Sequence, residues 1–212
     1  MKITAKLCAA LVVGLMGISA AHATTSPSKI IAFTQTDGTT VNVKNTMSTR
    51  AKGWSDPAFG DLGWVHSSAW GTYTATAGQV VTMTFVSNEI GMHPASTIYY
   101  RGDKDTAADN YIPDVALTQN ATMAKWGASD DATGAPLGDI VMQYVTHAYD
   151  ADNNTSRSTV FKGKKDKKSG KLVISFKAPY TGNYMFVVSG YNPAPTVDTS
   201  VAHPVDVTVD VK

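Results

Sequence analysis

The C-terminal run HPVDVTVDVK constrains the fold more than any other stretch of the chain. Val205, Val207, Val209 and Val211 alternate with Asp206, Thr208 and Asp210. A period of two places all four valines on one side of an extended strand, where a helix would scatter them around its circumference. Such a strand has one apolar and one wet face, so it needs neighbours in a sheet and a second layer to cover the valines. The same alternation recurs in VVTMTF, where Val81, Met83 and Phe85 interleave with Thr82 and Thr84. WGTYTATAGQVVTMTFVSN reads as two strands around Ala77-Gly78. KIIAFTQT and TTVNVKNT flank Asp37-Gly38, a hairpin-type turn signal. ASTIYYRG, KLVISFKAP and NYMFVVSGY add further strands, and the Val, Ile, Tyr and Thr content of DIVMQYVTHAYD favours one more. Residues 102–138, rich in Asp, Ala, Thr, Gly and Asn, read as long loops. The expected fold is all-β: a single-domain β-sandwich or jelly-roll-like domain with long loops.

The front of the chain is different. Lys2 and Lys6 precede an apolar run from Leu7 to about Ile18, and small residues follow to Ala21-His22-Ala23. This is the form of a secretory signal, and the run is too short for a membrane span. Cleavage before Thr24 is expected, giving a signal peptide over 1–23 and one β-rich domain over 24–212. The single cysteine, Cys8, leaves with the leader. The mature chain therefore has no disulfide, thiolate ligand or cysteine nucleophile, and a hydrophobic core must hold it together. The 18 Lys and Arg, two of them in the leader, face 17 Asp and Glu. This balance gives no electrostatic footprint for nucleic acid.

Enzyme motifs are missing: there is no G-x-S-x-G, H-E-x-x-H, phosphate-cradling glycine loop or G-x-G-x-x-G. An exported hydrolase with an unrecognised site is thereby disfavoured. DADNNTS, from Asp150 to Ser156, starts like a calcium loop but has Thr155 at the tight-turn position and no closing Glu. It and GDKDTAADN read as acidic surface loops, Arg101-Gly102-Asp103 as a coincidence, and KGKKDKKSGK as a solvated turn. Histidine is left. His66, His93, His147 and His203 are the four in the mature chain. Imidazole suits copper and zinc, and thioether favours Cu(I). His66 stands two residues after Trp64, the side-chain repeat of a strand, and His93 lies between Met92 and Pro94. Taken singly, each histidine reads first as a hydrogen-bonded core or rim residue, His203 above all, with Trp64 and Trp70 as core aromatics and Met92 as a gap-filler.

GWSDPAFGDLGWVHSSAW, GMHPASTIYYRG and YTGNYMFVVSGYN together resemble the copper-binding surface proteins of methane-oxidising bacteria, the CorA and MopE type. The resemblance implies an exported, non-enzymatic protein that scavenges or delivers Cu(I). It further implies one ion held between two histidines and a tryptophan oxidised to kynurenine, two residues before the first histidine. Trp64-Val65-His66 matches that element, so His66 becomes a ligand and Trp64 the modified residue. For the second histidine His93 is preferred and His147 competes; Met92 is a reserve ligand. The resemblance also implies a location free in the medium or on the outer-membrane surface, with a surface partner such as a cytochrome c peroxidase-like protein. The competing expectation is a β-sandwich surface module binding carbohydrate or another protein through Trp54, Trp64, Trp70, Trp126 and some of the nine tyrosines.

Overall fold

The computed structural model describes residues 23–25, 30–33, 41–50, 68–113, 121–130, 132–150, 170–191, 197–198 and 200–212. They form twelve strands and, among the described residues, no helix: β1 (Ala23–Thr25), β2 (Ile30–Ala32), β3 (Val41–Arg50), β4 (Ala69–Ala75), β5 (Val80–Ser87), β6 (His93–Tyr100), β7 (Tyr111–Pro113), β8 (Met123–Ser129), β9 (Pro136–Tyr149), β10 (Lys171–Lys177), β11 (Gly182–Tyr191) and β12 (Ala202–Val211). One sheet has the order β10-β5-β12-β3, a second the order β2-β4-β11-β6-β9-β8, and β1 with β7 makes a short ribbon. All pairings are antiparallel except β2 with β4.

The two larger sheets pack face to face, as the alternating valines require. Val205, Val207, Val209 and Val211 join Val81, Met83, Phe85 and Leu172 from the four-stranded sheet against Tyr73, Tyr184, Phe186, Val188 and Ile98 from the six-stranded one. Phe186 is the centre of this layer, edge-on to Phe33 at 5.4 Å and to Phe85 at 5.9 Å between centroids. Its cross-strand partner is Gly71. A Cβ at position 71 would lie 2.3 Å from the Phe186 ring, so the ring occupies the space the glycine leaves. Tyr184 pins the turn that starts β11: its hydroxyl donates to the Tyr180 carbonyl at 2.6 Å and accepts from the Tyr180 N–H at 3.0 Å. This is a tyrosine corner, a device that fixes strand entry in β-sandwiches.

The six-stranded sheet is buried on its other face too. Trp70, Tyr99, Ile140, Met142, Met185 and Val187 form a second cluster there with Ile112 and Met123. Arg101, 2 % exposed, sits beneath the loop that crosses this face. Its guanidinium makes a fork with the Asp105 carboxylate at 2.6 and 2.8 Å and donates to the Tyr111 carbonyl at 2.8 Å. Asp105 also accepts the Val141 N–H at 2.7 Å. The fork is a buried, charge-assisted pair that ties the loop to β7 and β9.

Three expectations need correction. The segments around Asp37-Gly38 do not pair as a hairpin: β2 lies beside β4 in one sheet and β3 beside β12 in the other. The chain switches layers between them, so long-range pairing overrides the local turn signal. Residues 102–138 are not loop throughout, since they contain β7, β8 and the start of β9. Arg101 and Asp105, read as coincidence and surface loop, are the buried fork. The basic run KGKKDKKSGK falls largely outside the described residues.

Candidate metal centre

His93 opens β6, a strand flanked by β11 and β9 in the interior of the six-stranded sheet. Its pairing partner on β11 is Tyr191. The residue is 3 % exposed. Its Nδ1 lies 2.9 Å from Oδ2 of Asp150, whose side chain is 1 % exposed. Asp150 is held in turn by the backbone: Gly170 N–H donates to Oδ2 at 2.7 Å, and the Asp150 N–H donates to the Pro94 carbonyl at 2.8 Å. A carboxylate can only accept, and a bare imidazole lone pair facing it at this distance would be repelled. This is an ion-pair contact by distance, and a proton on Nδ1 would suit it and leave the lone pair on Nε2. A carboxylate behind the ring is the arrangement that orients metal-ligating histidines. Asp150, read in the sequence as the start of a failed calcium loop, is thus a buried partner of a candidate ligand. The signal lay in a carboxylate closing the apolar strand run of THAYD.

His147 lies elsewhere on the sheet. It pairs with Thr97, which pairs with Val187, which pairs with Trp70, so these four residues make one row across the sheet. The imidazole is 8 % exposed, with Nδ1 2.5 Å from the Tyr144 hydroxyl. Burial raises the Tyr144 phenol above its ordinary value, so it is neutral. A phenol can donate or accept, and this contact does not fix the tautomer. Thr97 is four residues from His93 along β6, about 13 Å at the strand rise. Ligand nitrogens of one ion lie within about 4 Å of each other. With side chains standing off the sheet, His93 and His147 are too far apart to hold the same ion.

The other histidine and aromatic expectations sort as follows. Trp64 and His66 lie outside the described residues, as does Trp54. Met92 is fully buried in the inter-sheet core, as a gap-filler should be. His203, 8 % exposed, sits at the entrance of β12 with Nε2 2.7 Å from the Asp198 carbonyl and Nδ1 3.2 Å from Glu89, the hydrogen-bonded rim residue expected. Trp70 is 2 % exposed, a core aromatic. Trp126 is 61 % exposed on the edge strand β8, where the pairing with β9 is interrupted between Lys125 and Ala128. Among the described residues no group of three or more His, Cys, Asp and Glu converges. The sequence after the leader holds no cysteine, and its imidazoles are of the type that suits copper or zinc.

The fold defines the chain as an all-β protein of two packed sheets that carries buried imidazoles. The family model for copper(I)-binding CorA-like proteins matches residues 26–198, and the chain belongs to that family. Copper is accordingly its metal. The structure is similar to that of CorA, a surface-associated copper-binding protein important in copper acquisition by Methylomicrobium album BG8, with 26% sequence identity and a TM-score of 0.70 over 87% of this chain and 99% of that one. It shares its fold with MopE, a secreted protein of Methylococcus capsulatus in which an oxidised tryptophan facilitates copper binding. There the identity is 15% and the TM-score 0.55 over 85% of this chain and 98% of that one. No curated protein sequence matches the chain.

Proposed function

We propose that this is an exported copper(I)-binding protein that scavenges or delivers copper, with His66 and His93 as the two imidazole ligands and Trp64, oxidised to kynurenine, as a weak third. It acts as a binding protein rather than an enzyme, after removal of residues 1–23, in the medium or on the outer-membrane surface. The observation that carries the choice of ligand is the Asp150 carboxylate behind His93, which directs the Nε2 lone pair away from itself.

A competition titration of the mature protein against a chromogenic Cu(I) chelator tests this. One copper per chain retained at sub-nanomolar free Cu(I), about 12 kcal/mol of binding, is expected for the native protein. His66→Ala and His93→Ala should each lose it, and His147→Ala and His203→Ala should keep it. Loss with His147→Ala and retention with His93→Ala would move the second ligand to His147. Equal weak binding by all the variants would remove the specific site.

A further inference from the structure

The six-stranded sheet is wider than the sheet packed on it, and β8 lies at its edge. Tyr100 pairs with Tyr184 of the inter-sheet core, and Gln143 pairs with Tyr100, so both side chains stand on the inner face. Ala124 pairs with Val141, two residues before Gln143, and shares that face. Lys125 pairs with Ile140 of the outer cluster, so alternation turns Trp126 back to the inner face. Ala124 is exposed and Trp126 is 61 % exposed. The smaller sheet therefore does not reach β8, and the inner face is open at this edge.

Two aromatic positions mark the open part. At one end Tyr100 stacks with Tyr180 of the β10–β11 turn at 4.7 Å between centroids, and Tyr180 is 40 % exposed. Gln143 donates to the Tyr180 hydroxyl at 2.8 Å, which leaves that hydroxyl its own proton to give. At the other end Trp126 and Gly127 together oppose Asp139, a bulge in the β8–β9 pairing. The bulge is braced. Gly127, at φ +58°, donates its N–H to Asp139 Oδ1 at 2.8 Å, and the Asp139 N–H donates to Thr106 Oγ1 at 2.8 Å. Such a bulge re-aims a side chain, and here it holds an indole out to solvent. Tyr100 and Trp126 are two strands apart and four residues apart along them, roughly 16 Å.

We infer that this open face binds a neutral polysaccharide chain, with Trp126 and Tyr180 as stacking platforms and Gln143 and Asp139 as partners for sugar hydroxyls. A pyranose has a C–H face that lies on an aromatic ring and a rim of hydroxyls that needs amide and carboxylate partners, and the face alternates those two kinds of group. The separation of the platforms suits a short run of linked sugars rather than one ring. Other occupants fit less well. The bulge breaks the row of backbone donors and acceptors that an added peptide strand would pair with. The aromatic positions are separate, where the core of a protein interface is contiguous and apolar. Asp139 beside Trp126 opposes an anionic surface. The inference does not rest on the copper reading, since these residues lie on the opposite face of the sheet from His93.

The test is migration of the mature protein through native gels containing soluble β-glucan, α-glucan, mannan, xylan or, as the acidic probe, alginate. Retardation by at least one of the four neutral polymers is expected. Trp126→Ala and Tyr180→Ala should each weaken it about tenfold, Trp126→Phe should keep most of it, and His93→Ala should leave it unchanged. Both platform residues are exposed, so the alanine variants should keep the native melting temperature, which shows that they are folded. No retardation by any neutral polymer overturns the inference, as does equal retardation of native protein and a folded Trp126→Ala. Retardation by alginate alone, abolished by salt, overturns it in favour of an anionic partner. Self-association that Trp126→Ala abolishes overturns it in favour of a second copy of the chain.

Discussion

Asp150→Asn is the substitution that separates an oriented metal ligand from a histidine that merely fits. The two side chains have the same shape, and both atoms in the His93–Asp150 contact are buried, at 4 % and 1 % side-chain exposure. In the native protein one carboxylate faces two donors, the Gly170 N–H at 2.7 Å and His93 Nδ1 at 2.9 Å. Asparagine has one acceptor oxygen and one amide nitrogen. If the oxygen keeps Gly170, the NH2 group faces His93 Nδ1, and the imidazole is driven to the tautomer with its proton on Nε2. That proton sits where the metal needs a lone pair. Loss of such a carboxylate partner costs roughly 10- to 100-fold in metal affinity, or about 1.4–2.8 kcal/mol at 1.4 kcal/mol per tenfold. The fold should lose less, about 1 kcal/mol, from replacing a buried carboxylate contact with a neutral one. The assay is the Cu(I) competition titration, run beside urea denaturation to show that the variant is folded. A folded Asp150→Asn protein whose Cu(I) affinity stays within twofold of native would refute the reasoning, because the tautomer of His93 would then be irrelevant to binding.

Two further substitutions probe the frame around the site. The Tyr73 hydroxyl is buried between the sheets with no hydrogen-bond partner among the described residues, so Tyr73→Phe should raise stability by about 1 kcal/mol at neutral pH, read from the urea midpoint. Burial, with the Tyr184 phenol adding to it, raises the Tyr73 pKa well above its ordinary value. Below about pH 10 both folded and unfolded chains keep this phenol neutral; above it only the unfolded chain ionises, and stability is lost as pH climbs toward the folded value. Tyr73→Phe should blunt that alkaline loss, and an identical alkaline profile would count against it. Arg101→Ala leaves the buried Asp105 carboxylate without its counter-charge, and should cost about 3–5 kcal/mol in chemical denaturation; a change under 1 kcal/mol would show that the fork carries no such weight.

How much of this was legible depended on what each face of a strand touches. β5 and β12 have one wet face, so their apolar residues alternate and the sequence pattern shows them plainly. β6 and β11 are buried on both faces, and there the pattern runs on without alternation, as in YMFVVSG. Val, Ile and Tyr content still marked them as strands. β8 escaped notice because its pairing is broken around Trp126 and Gly127, and its composition is that of a loop. The layer switch between β2 and β3 is a long-range fact that no turn dipeptide encodes. At the site, histidine as a residue type was visible, while the reason for preferring His93 was not: the Asp150 partner is 57 positions away along the chain and becomes its neighbour only through the pairing of β6 with β9.

The same carboxylate bears on which copper the site holds. Imidazole ligands are neutral, so the charge of a bound ion must be balanced by something else in a region shielded from water. Asp150 supplies one negative charge close behind His93. A monovalent ion with one carboxylate is close to neutral overall; a divalent ion leaves a positive charge in a medium where unpaired charge is expensive. The proposed ligation by two imidazoles and a weak third ligand would add to this, since so few donors suit Cu(I) and leave Cu(II) short of the tetragonal set it prefers. On the proposed site, a preference for Cu(I) would follow from Asp150 as much as from the ligands. It should narrow in Asp150→Asn through a loss of Cu(I) affinity larger than any loss in His203→Ala, whose imidazole lies against Glu89 at the rim. Equal losses in the two variants would mean that the buried charge, and not merely its distance from the metal, had been misjudged.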